Sequence, residues 1–349
     1  METDACQKGP IPIGAIPVSL PIKPPFLPME ARTVTQLPAG TNWQYEPKWD
    51  GFRAVVFKDG DDVELQSKSG KPMARFFPEL VTAIRKLKVN HFVLDGEIVI
   101  SVDGKFSFDD LLMRIHPAQS RINRLASERP ASLIVFDMLV DERGTELFRL
   151  PLSKRRPKLE KFAARFLDES ADISLSPATG DVELARSWLK SFAGNLDGII
   201  AKKIDVEYKS GDRTGMVKFK RLRTADCVVG GFRYLSDERL VGSLLLGLYD
   251  SDDRLHHVGF TSGIKDESRI KLTAQLEGLI QPPGFTGRAP GAESRWSTER
   301  SSEWQPLRPK LVVEVQYDHV SGGRFRHGTK LLRWRPDKSP TQCTMEQIQ

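Results

Sequence analysis

Trp43-Gln44-Tyr45-Glu46-Pro47-Lys48-Trp49-Asp50-Gly51-Phe52-Arg53 is the stretch on which the reading of this chain turns. Apolar and aromatic residues dominate from 45 to 57, so that run is expected to be a strand. Lys58-Asp59-Gly60-Asp61-Asp62 then reads as a turn into a second strand over 63–67. A strand lysine usually stands at an edge and faces water. Lys48 has different company. Gly51, three residues on, interrupts the strand pattern and lets the backbone approach a neighbour closely. Asp50 and Arg53 add a carboxylate and a two-pronged donor suited to phosphate or ribose.

Working outward, residues 77–87 carry Leu80, Val81, Ile84 and Leu87 on one helical face. Residues 92–100, 131–138 and 198–204 read as strands, and 154–166 and 182–192 as amphipathic helices. Strands and helices mix without regular βαβ alternation, which predicts an α+β domain rather than a doubly wound parallel sheet. After Arg223 the texture becomes strand-rich, with strands expected over 227–234, 243–249, 255–260 and 311–317 and one helix over 265–279. That pattern suits a small barrel such as the OB-fold. Residues 284–305 read as a long loop. The expected division is an extended Pro-rich segment over 1–40, draped on or leading into the first domain, a first domain over 41–222 and a barrel over 223–349.

A chain of 349 residues fits two domains, and 39% apolar content supports true cores. The 52 Lys and Arg exceed the 46 Asp and Glu by a net +6, which a solubility margin explains as well as a polyanionic partner does. Distribution says more. Eight basic residues face three acidic ones between Lys202 and Arg223, and six face one between Arg324 and Lys338. Lys154-Arg155-Arg156-Pro157-Lys158 is a third cluster and reads as a solvated face. Cys6, Cys227 and Cys343 are odd in number, scattered and free of any C-x-x-C spacing. They suit a reducing compartment and argue against a disulfide framework or a zinc site. Prolines through 9–26 forbid a signal helix, and no apolar run reaches membrane-spanning length. A cytoplasmic protein without a membrane partner is expected.

The run around Lys48 resembles motif I of the covalent nucleotidyltransferase superfamily, which holds DNA ligases, RNA ligases and mRNA capping enzymes. Five further runs are similar to the motifs that follow it, in the same order: Leu94-Asp95-Gly96-Glu97, Phe136-Asp137, Asp197-Gly198-Ile199-Ile200-Ala201-Lys202, Lys218-Phe219-Lys220 and Arg335-Pro336-Asp337-Lys338, with Ser67-Lys68-Ser69-Gly70 at the place of motif Ia. Each alone has a plainer reading as a strand-end acid, a core aromatic or an edge-strand lysine, but the ordered set supplies what phosphoryl transfer needs. The resemblance implies that Lys48 is the nucleophile and that Glu97 and Asp197 hold Mg²⁺ or Mn²⁺. It further implies that Glu46, Arg53, Lys68, Glu97, Phe136, Lys218, Lys220, Arg335, Asp337 and Lys338 contact the nucleotide. Phe136 would stack on the purine and Arg335 and Lys338 would orient the leaving pyrophosphate. Lys48 must lose its proton to attack, so burial and neighbouring cations are expected around it. The chain departs from the family pattern at Asp197, usually glutamate, at Met216, usually aromatic, and at Lys68, usually arginine.

The flanking phrases look most like the small bacterial ATP-dependent DNA ligases, C-type (LigC-like). The resemblance implies an ATP-grasp-like nucleotidyltransferase (adenylation) domain followed by a β-barrel OB-fold domain. It implies sealing of nicked duplex DNA through lysyl-AMP, in DNA repair, by a monomer that works with repair polymerases or end-joining factors and associates with the nucleoid. A mobile linker is expected near 221–226. A GTP-dependent capping-type enzyme, an RNA ligase and a non-catalytic OB-type nucleic-acid binder remain the alternatives.

Overall fold

The computed structural model describes residues 20–167, 172–191, 196–220, 222–291 and 303–348. They divide into two compact units, the first ending at Phe219 and the second beginning at Lys220. In chain order the first part forms β1 (Arg32–Val34), β2 (Trp43–Trp49), β3 (Phe52–Asp59), β4 (Asp62–Ser67), α1 (Pro78–Lys86), β5 (His91–Val102) and β6 (Lys105–Phe106). There follow α2 (Phe108–Arg114), α3 (Gln119–Glu128), β7 (Ala131–Val140), α4 (Leu152–Phe166), β8 (Ile173–Leu175), α5 (Val182–Ser191), β9 (Leu196–Lys203) and β10 (Met216–Lys220).

The single strand expected over 45–57 is two strands in two sheets. β2 lies at the edge of a sheet ordered β1-β10-β9-β2, whereas β3 belongs to a larger sheet ordered β4-β3-β5-β7-β8, with β6 beside β5. The chain crosses between them at Asp50-Gly51. A Cβ on Gly51 would lie 2.2 Å from the carbonyl oxygen of Ile98 and 2.9 Å from Cγ of Glu97, so only glycine permits the crossing to press against β5. On the larger sheet Ala54, Val56 and Leu94 pack against Leu80 and Ile84 of α1 and Leu159 and Phe162 of α4. The opposite face, with Val55, Phe57, Val93 and Leu139, packs with Met29, Tyr208, Met216 and Ile200. β3 is thus buried on both sides, which explains its unbroken apolar run. On the smaller sheet Tyr45, Ile199, Ala201 and Val217 are covered by Ala185 and Trp188 of α5.

Three expectations for this unit change. The helices α2 and α3 were not anticipated: seven and ten residues are too short for a clear period, and the strongest local signal is the Ser107 cap, whose hydroxyl accepts from the Asp110 amide at 3.2 Å. The described part of the Pro-rich segment is built into the core rather than draped over it. Leu20, Met29 and Leu37 are buried, the Gln66 side chain brackets the Phe26 backbone through two 2.8 Å bonds, and β1 pairs in parallel with β10. In the basic cluster of α4, Lys154 and Lys158 are exposed, but Arg155 and Arg156 are buried and serve the interior.

The second unit continues with β11 (Arg223–Tyr234), β12 (Val241–Tyr249), β13 (Leu255–Thr261), α6 (Asp266–Glu277), β14 (Gln305–Pro306), β15 (Val312–Tyr317), β16 (Val320–Ser321), β17 (Arg324–Phe325) and β18 (Lys330–Trp334). Its main sheet is ordered β13-β12-β11-β15-β18, with β14 on β11 and a separate β16–β17 hairpin. The ladder is a continuous path rather than a closed ring, so the closed barrel is not present in the described pairing. One isolated parallel bridge, Thr261 to Thr329, joins its two edges. β18 was not anticipated, since its mixed Lys330-Leu331-Leu332-Arg333-Trp334 sequence remains largely exposed. Phe325 enters the core beside Tyr317, with ring centroids 4.7 Å apart, while Trp334 stays partly exposed. The linker expected over 221–226 is corrected from Arg223 onward: Arg223 to Asp226 pair in register with Tyr317 to Glu314 inside β11–β15. Arg221, Cys6, Phe192 and residues 292–302 of the expected loop lie outside the described residues. No helix among the described residues is long and apolar enough to cross a membrane.

Candidate active site

β2 alternates about Tyr45, Pro47 and Trp49, so Gln44, Glu46 and Lys48 share the other face. Its partner β9 sets Gly198 opposite Lys48, Ile200 opposite Glu46 and Lys202 opposite Gln44. In the larger sheet Arg53 pairs with Glu97 across β3–β5. These faces enclose a cavity of about 200 Å³ lined by Glu46, Lys48, Arg53, Lys68, Glu97 and Phe136, together with Lys202, Met216 and Lys218. Residues as far apart in the chain as Glu46 and Lys218 thereby meet in one pocket, because two sheets face each other around the Gly51 crossing. Gly96 is needed for the same reason, since a Cβ there would lie 2.8 Å from the carbonyl oxygen of Ile134 on β7.

Lys48 shares its cavity with the cations Arg53, Lys68, Lys202 and Lys218, and it also has an anionic partner that was not anticipated. Its ammonium is ion-paired with Asp197, which is buried, and the charge of Lys48 is felt by Glu97. Burial pushes the Glu97 carboxyl up to about 7, with Lys48 and Arg53 opposing the rise. A paired ammonium has no free lone pair, so attack requires that the proton leave and that the Asp197 contact give way. The carboxylates of Asp197 and Glu97 are hard oxygen donors beside Lys48, which fits Mg²⁺ or Mn²⁺ once substrate phosphates and water complete the shell. Among the described residues no group of three or more His, Cys, Asp or Glu gathers to hold a metal without such help.

Around this centre the other charges are tightly bound. Glu46 is buried, accepting from Gln44 Nε2 at 2.7 Å and pairing with Lys202 Nζ at 2.8 Å. Lys202 also donates to the Phe136 carbonyl at 3.2 Å, with its Nζ 4.7 Å from the Phe136 ring centroid. The Arg53 guanidinium lies 5.3 Å from the same ring and grips both oxygens of buried Asp95 at 3.0 and 2.6 Å. Tyr208 donates to Asp95 at 2.5 Å and accepts the Met29 amide at 3.0 Å. Asp137 is held below the usual carboxylate range by Arg155, which binds both of its oxygens at 2.8 and 3.0 Å and overcomes the opposing cost of burial. Sequence reasoning quoted Asp95 and Lys202 inside motifs without assigning them roles. It missed Tyr208, Arg155 and Glu30, whose partners are distant in the chain.

The remaining expected residues divide between the pocket and the second unit. Lys68 reaches the pocket lip and pairs with Glu30 at 2.9 Å. Lys218 lines the pocket, whereas Lys220 pairs with Asp318 at 2.7 Å and does not line it. Met216, at the position usually aromatic, is buried at the pocket wall. In the second unit Arg335 binds Asp226 at 2.9 Å and Asp337 at 2.8 Å, and Lys338 binds Asp226 at 2.7 Å. Asp226 was not anticipated. It lies on β11, more than 100 residues from its partners in sequence, and no local pattern marks it.

Two family models match, one described as ATP dependent DNA ligase domain over residues 28–220 and one as ATP dependent DNA ligase C terminal region over 237–338. With a lysine, two carboxylates and an aromatic ring gathered in the first of these regions, the chain belongs to the ATP-dependent DNA ligase family and is an enzyme of that class. Within it, the chain is similar to the bacterial C-type ligases. It is 42% identical to DNA ligase C of Mycobacterium tuberculosis, covering 95% of this chain and 96% of that protein. It is 44% identical to DNA ligase C1 of Mycolicibacterium smegmatis over the same shares of the two chains, 95% and 96%. The solved structure of a Lig E DNA ligase matches with a TM-score of 0.57 at 15% identity, covering 88% of this chain and 99% of that one, a likeness of fold alone.

Proposed function

We propose that this DNA ligase uses Lys48 to form a lysyl-AMP intermediate and then seals nicks in duplex DNA during repair. The observation that carries the reading is the convergence of Lys48, Glu97, Phe136 and Lys218 on one pocket, with Asp197 paired to the nucleophile. Lys48 Nζ attacks the α-phosphorus of ATP. A P–N bond forms, the bond to pyrophosphate breaks, and the lysine proton is lost. AMP then passes to the DNA 5′-phosphate, and the 3′-hydroxyl displaces it. A divalent ion bound at Glu97 and Asp197 would stabilise charge on the phosphate oxygens. Asp197 holds the lysine until its proton leaves, and Phe136 offers its ring to the purine. Arg53 and Lys202 keep that ring in place.

Arg335 and Lys338 are assigned to the departing pyrophosphate. The tie of both to one carboxylate, Asp226, supports their action as a unit. A closed OB barrel is the reading of the second unit. Its support is the edge-to-edge Thr261–Thr329 contact, where Thr261 Oγ1 donates to the Thr329 carbonyl at 2.9 Å. Nicked duplex DNA as substrate, Mg²⁺ as metal, a monomeric state, repair partners and a cytoplasmic site of action complete the proposal.

The test is incubation with α-labelled ATP and, in parallel, α-labelled GTP, followed by a nicked duplex. Label on the protein from ATP, its transfer to the nick and its absence in Lys48→Ala are the expected results. Label from GTP alone, or label that persists without Lys48, overturns the reading.

A further inference from the structure

We infer that Glu30 is a built-in counter-anion at the lip of the nucleotide pocket, holding Lys68 and Arg213 until a substrate phosphate takes its place. The inference rests on the proposed role of Lys68 as a phosphate contact.

A single carboxylate oxygen, Oε2 of Glu30, serves both cations, with Lys68 Nζ at 2.9 Å and an Arg213 guanidinium nitrogen at 3.0 Å. Three separate pieces of chain meet there: the segment before β1, the turn after β4 and the loop between β9 and β10. The Glu30 backbone is pinned, its amide donating to the Asp212 carbonyl at 2.7 Å and the preceding Met29 amide donating to Tyr208 at 3.0 Å. The carboxylate therefore reaches the lip from a fixed base. Glu30 and Lys68 line the Lys48 cavity and also a second cavity of about 570 Å³, whose walls include Gly51, Arg53, Ser69 and Glu97. They stand on the boundary that a phosphate moving between the two would cross.

The exposures show that this pairing can be exchanged. Lys68 and Arg213 are 55% and 67% exposed, whereas Glu30 is 24% exposed. Ion pairs of exposed cations contribute little to stability and open readily. A phosphate offers more charge and more acceptor oxygens than one carboxylate, so it displaces Glu30 from both donors. The Arg53–Asp95 pair in the same pocket, whose carboxylate has no exposure, cannot exchange in this way. A carboxylate fixed beside a polyanion site lowers affinity for phosphates in general and shortens unproductive residence on them. The incoming phosphate belongs either to the DNA backbone or to the triphosphate tail of the nucleotide.

Glu30→Gln separates these sources. One arm measures binding to a nicked duplex that cannot be sealed, across a range of KCl, and the other titrates ATP in Lys48 adenylylation. A DNA source predicts binding roughly fivefold tighter at low salt and a steeper logarithmic salt slope, by about 0.9 for each cation released. A triphosphate source predicts a several-fold lower apparent KM for ATP with the DNA slope unchanged. Either gain must vanish in the Lys68→Gln, Arg213→Gln background. No change in both arms, or a gain that persists without the two cations, overturns the inference. Thermal melting checks that the variant folds. If it does not, Lys68→Gln, Arg213→Gln with Glu30 in place must flatten the salt slope or raise the KM for ATP, and an unaltered slope and KM overturn the inference. Failure to label Lys48 in the natural protein would instead strike at the ligase mechanism itself.

Discussion

The two units treat their functional charges in opposite ways. In the first, Asp95, Asp137, Arg155 and Lys202 are buried and each is matched by a partner of opposite charge or a hydrogen bond. In the second, Arg335 and Lys338 share Asp226 while only partly buried, at 19%, 22% and 12% exposure, and Asp337, paired with Arg335, is 62% exposed. Breaking a buried pair leaves an uncompensated charge in a poor solvent, so the first network fixes geometry and makes it costly to disturb. Pairs partly open to water are better screened and exchange partners more easily than fully buried ones, which fits the phosphate role proposed for Arg335 and Lys338. Glu30 and its two cations at the first unit's lip follow the second pattern, where a pocket otherwise rigid has to admit a substrate.

The contrast can be broken most severely at Arg155. Arg155→Ala leaves Asp137 buried with its main partner gone and is expected to destabilise the first unit by about 3–5 kcal/mol in urea unfolding. A loss below 1 kcal/mol would show that the buried network does not hold the fold. Next in size is Lys338→Ala, expected to slow self-adenylylation by about two orders of magnitude while sealing of pre-adenylylated nicks falls much less. Equal losses in both assays would remove the distinction between a rigid pocket and an exchanging cluster.

A pH effect of intermediate size comes from His257, a buried exception in the second unit. Burial, with Arg324 and Arg233 nearby, lowers its pKa to about 3 from an ordinary 6.5. Between those values the unfolded chain binds the proton and the folded one does not, so stability rises with pH through this window. It is complete above about 6.5 and is lost as pH falls toward 3. His257→Phe should flatten the melting temperature against pH over that range, and an unchanged profile would exclude His257 as the cause. The smallest effect is expected from Asp226→Asn, which should move the melting temperature by no more than about 2 °C. A larger drop would make the Arg335–Lys338 cluster structural, like the first unit's network.

Much of the candidate site was legible because its chemistry is carried by short runs: Lys48 with Gly51, Glu97 with Gly96, and Phe136 all entered the pocket they were expected to share. Gly51 was read as interrupting the run over 45–57, but the change from one sheet to another at that point was not legible. β3, buried on both faces, has no alternation to show which sheet it joins, and only the approach of Gly51 to Ile98 explains the crossing. Cations were expected around Lys48 and line its cavity, but its direct pairing with Asp197 was not legible, because Asp197 reaches it across the β2–β9 pairing rather than along the chain. Arg155 and Arg156 looked like solvent-facing charge, since a sequence shows how many charges a helix carries but not which carboxylate lies beneath it.

By itself the sequence determined the family and the residue types on which the proposed chemistry rests: a lysine, two acids, an aromatic ring and basic clusters, in the family's order. Those properties reside in residue types and close spacing, and both are written in one dimension. Tertiary structure alone decided which charge answers which, Asp95 for Arg53 and Tyr208, Asp137 for Arg155, Glu30 for Lys68 and Arg213, and Asp226 for Arg335 and Lys338. An ion pair depends on distance and burial in space, and those appear only once strands far apart in the chain have been laid side by side.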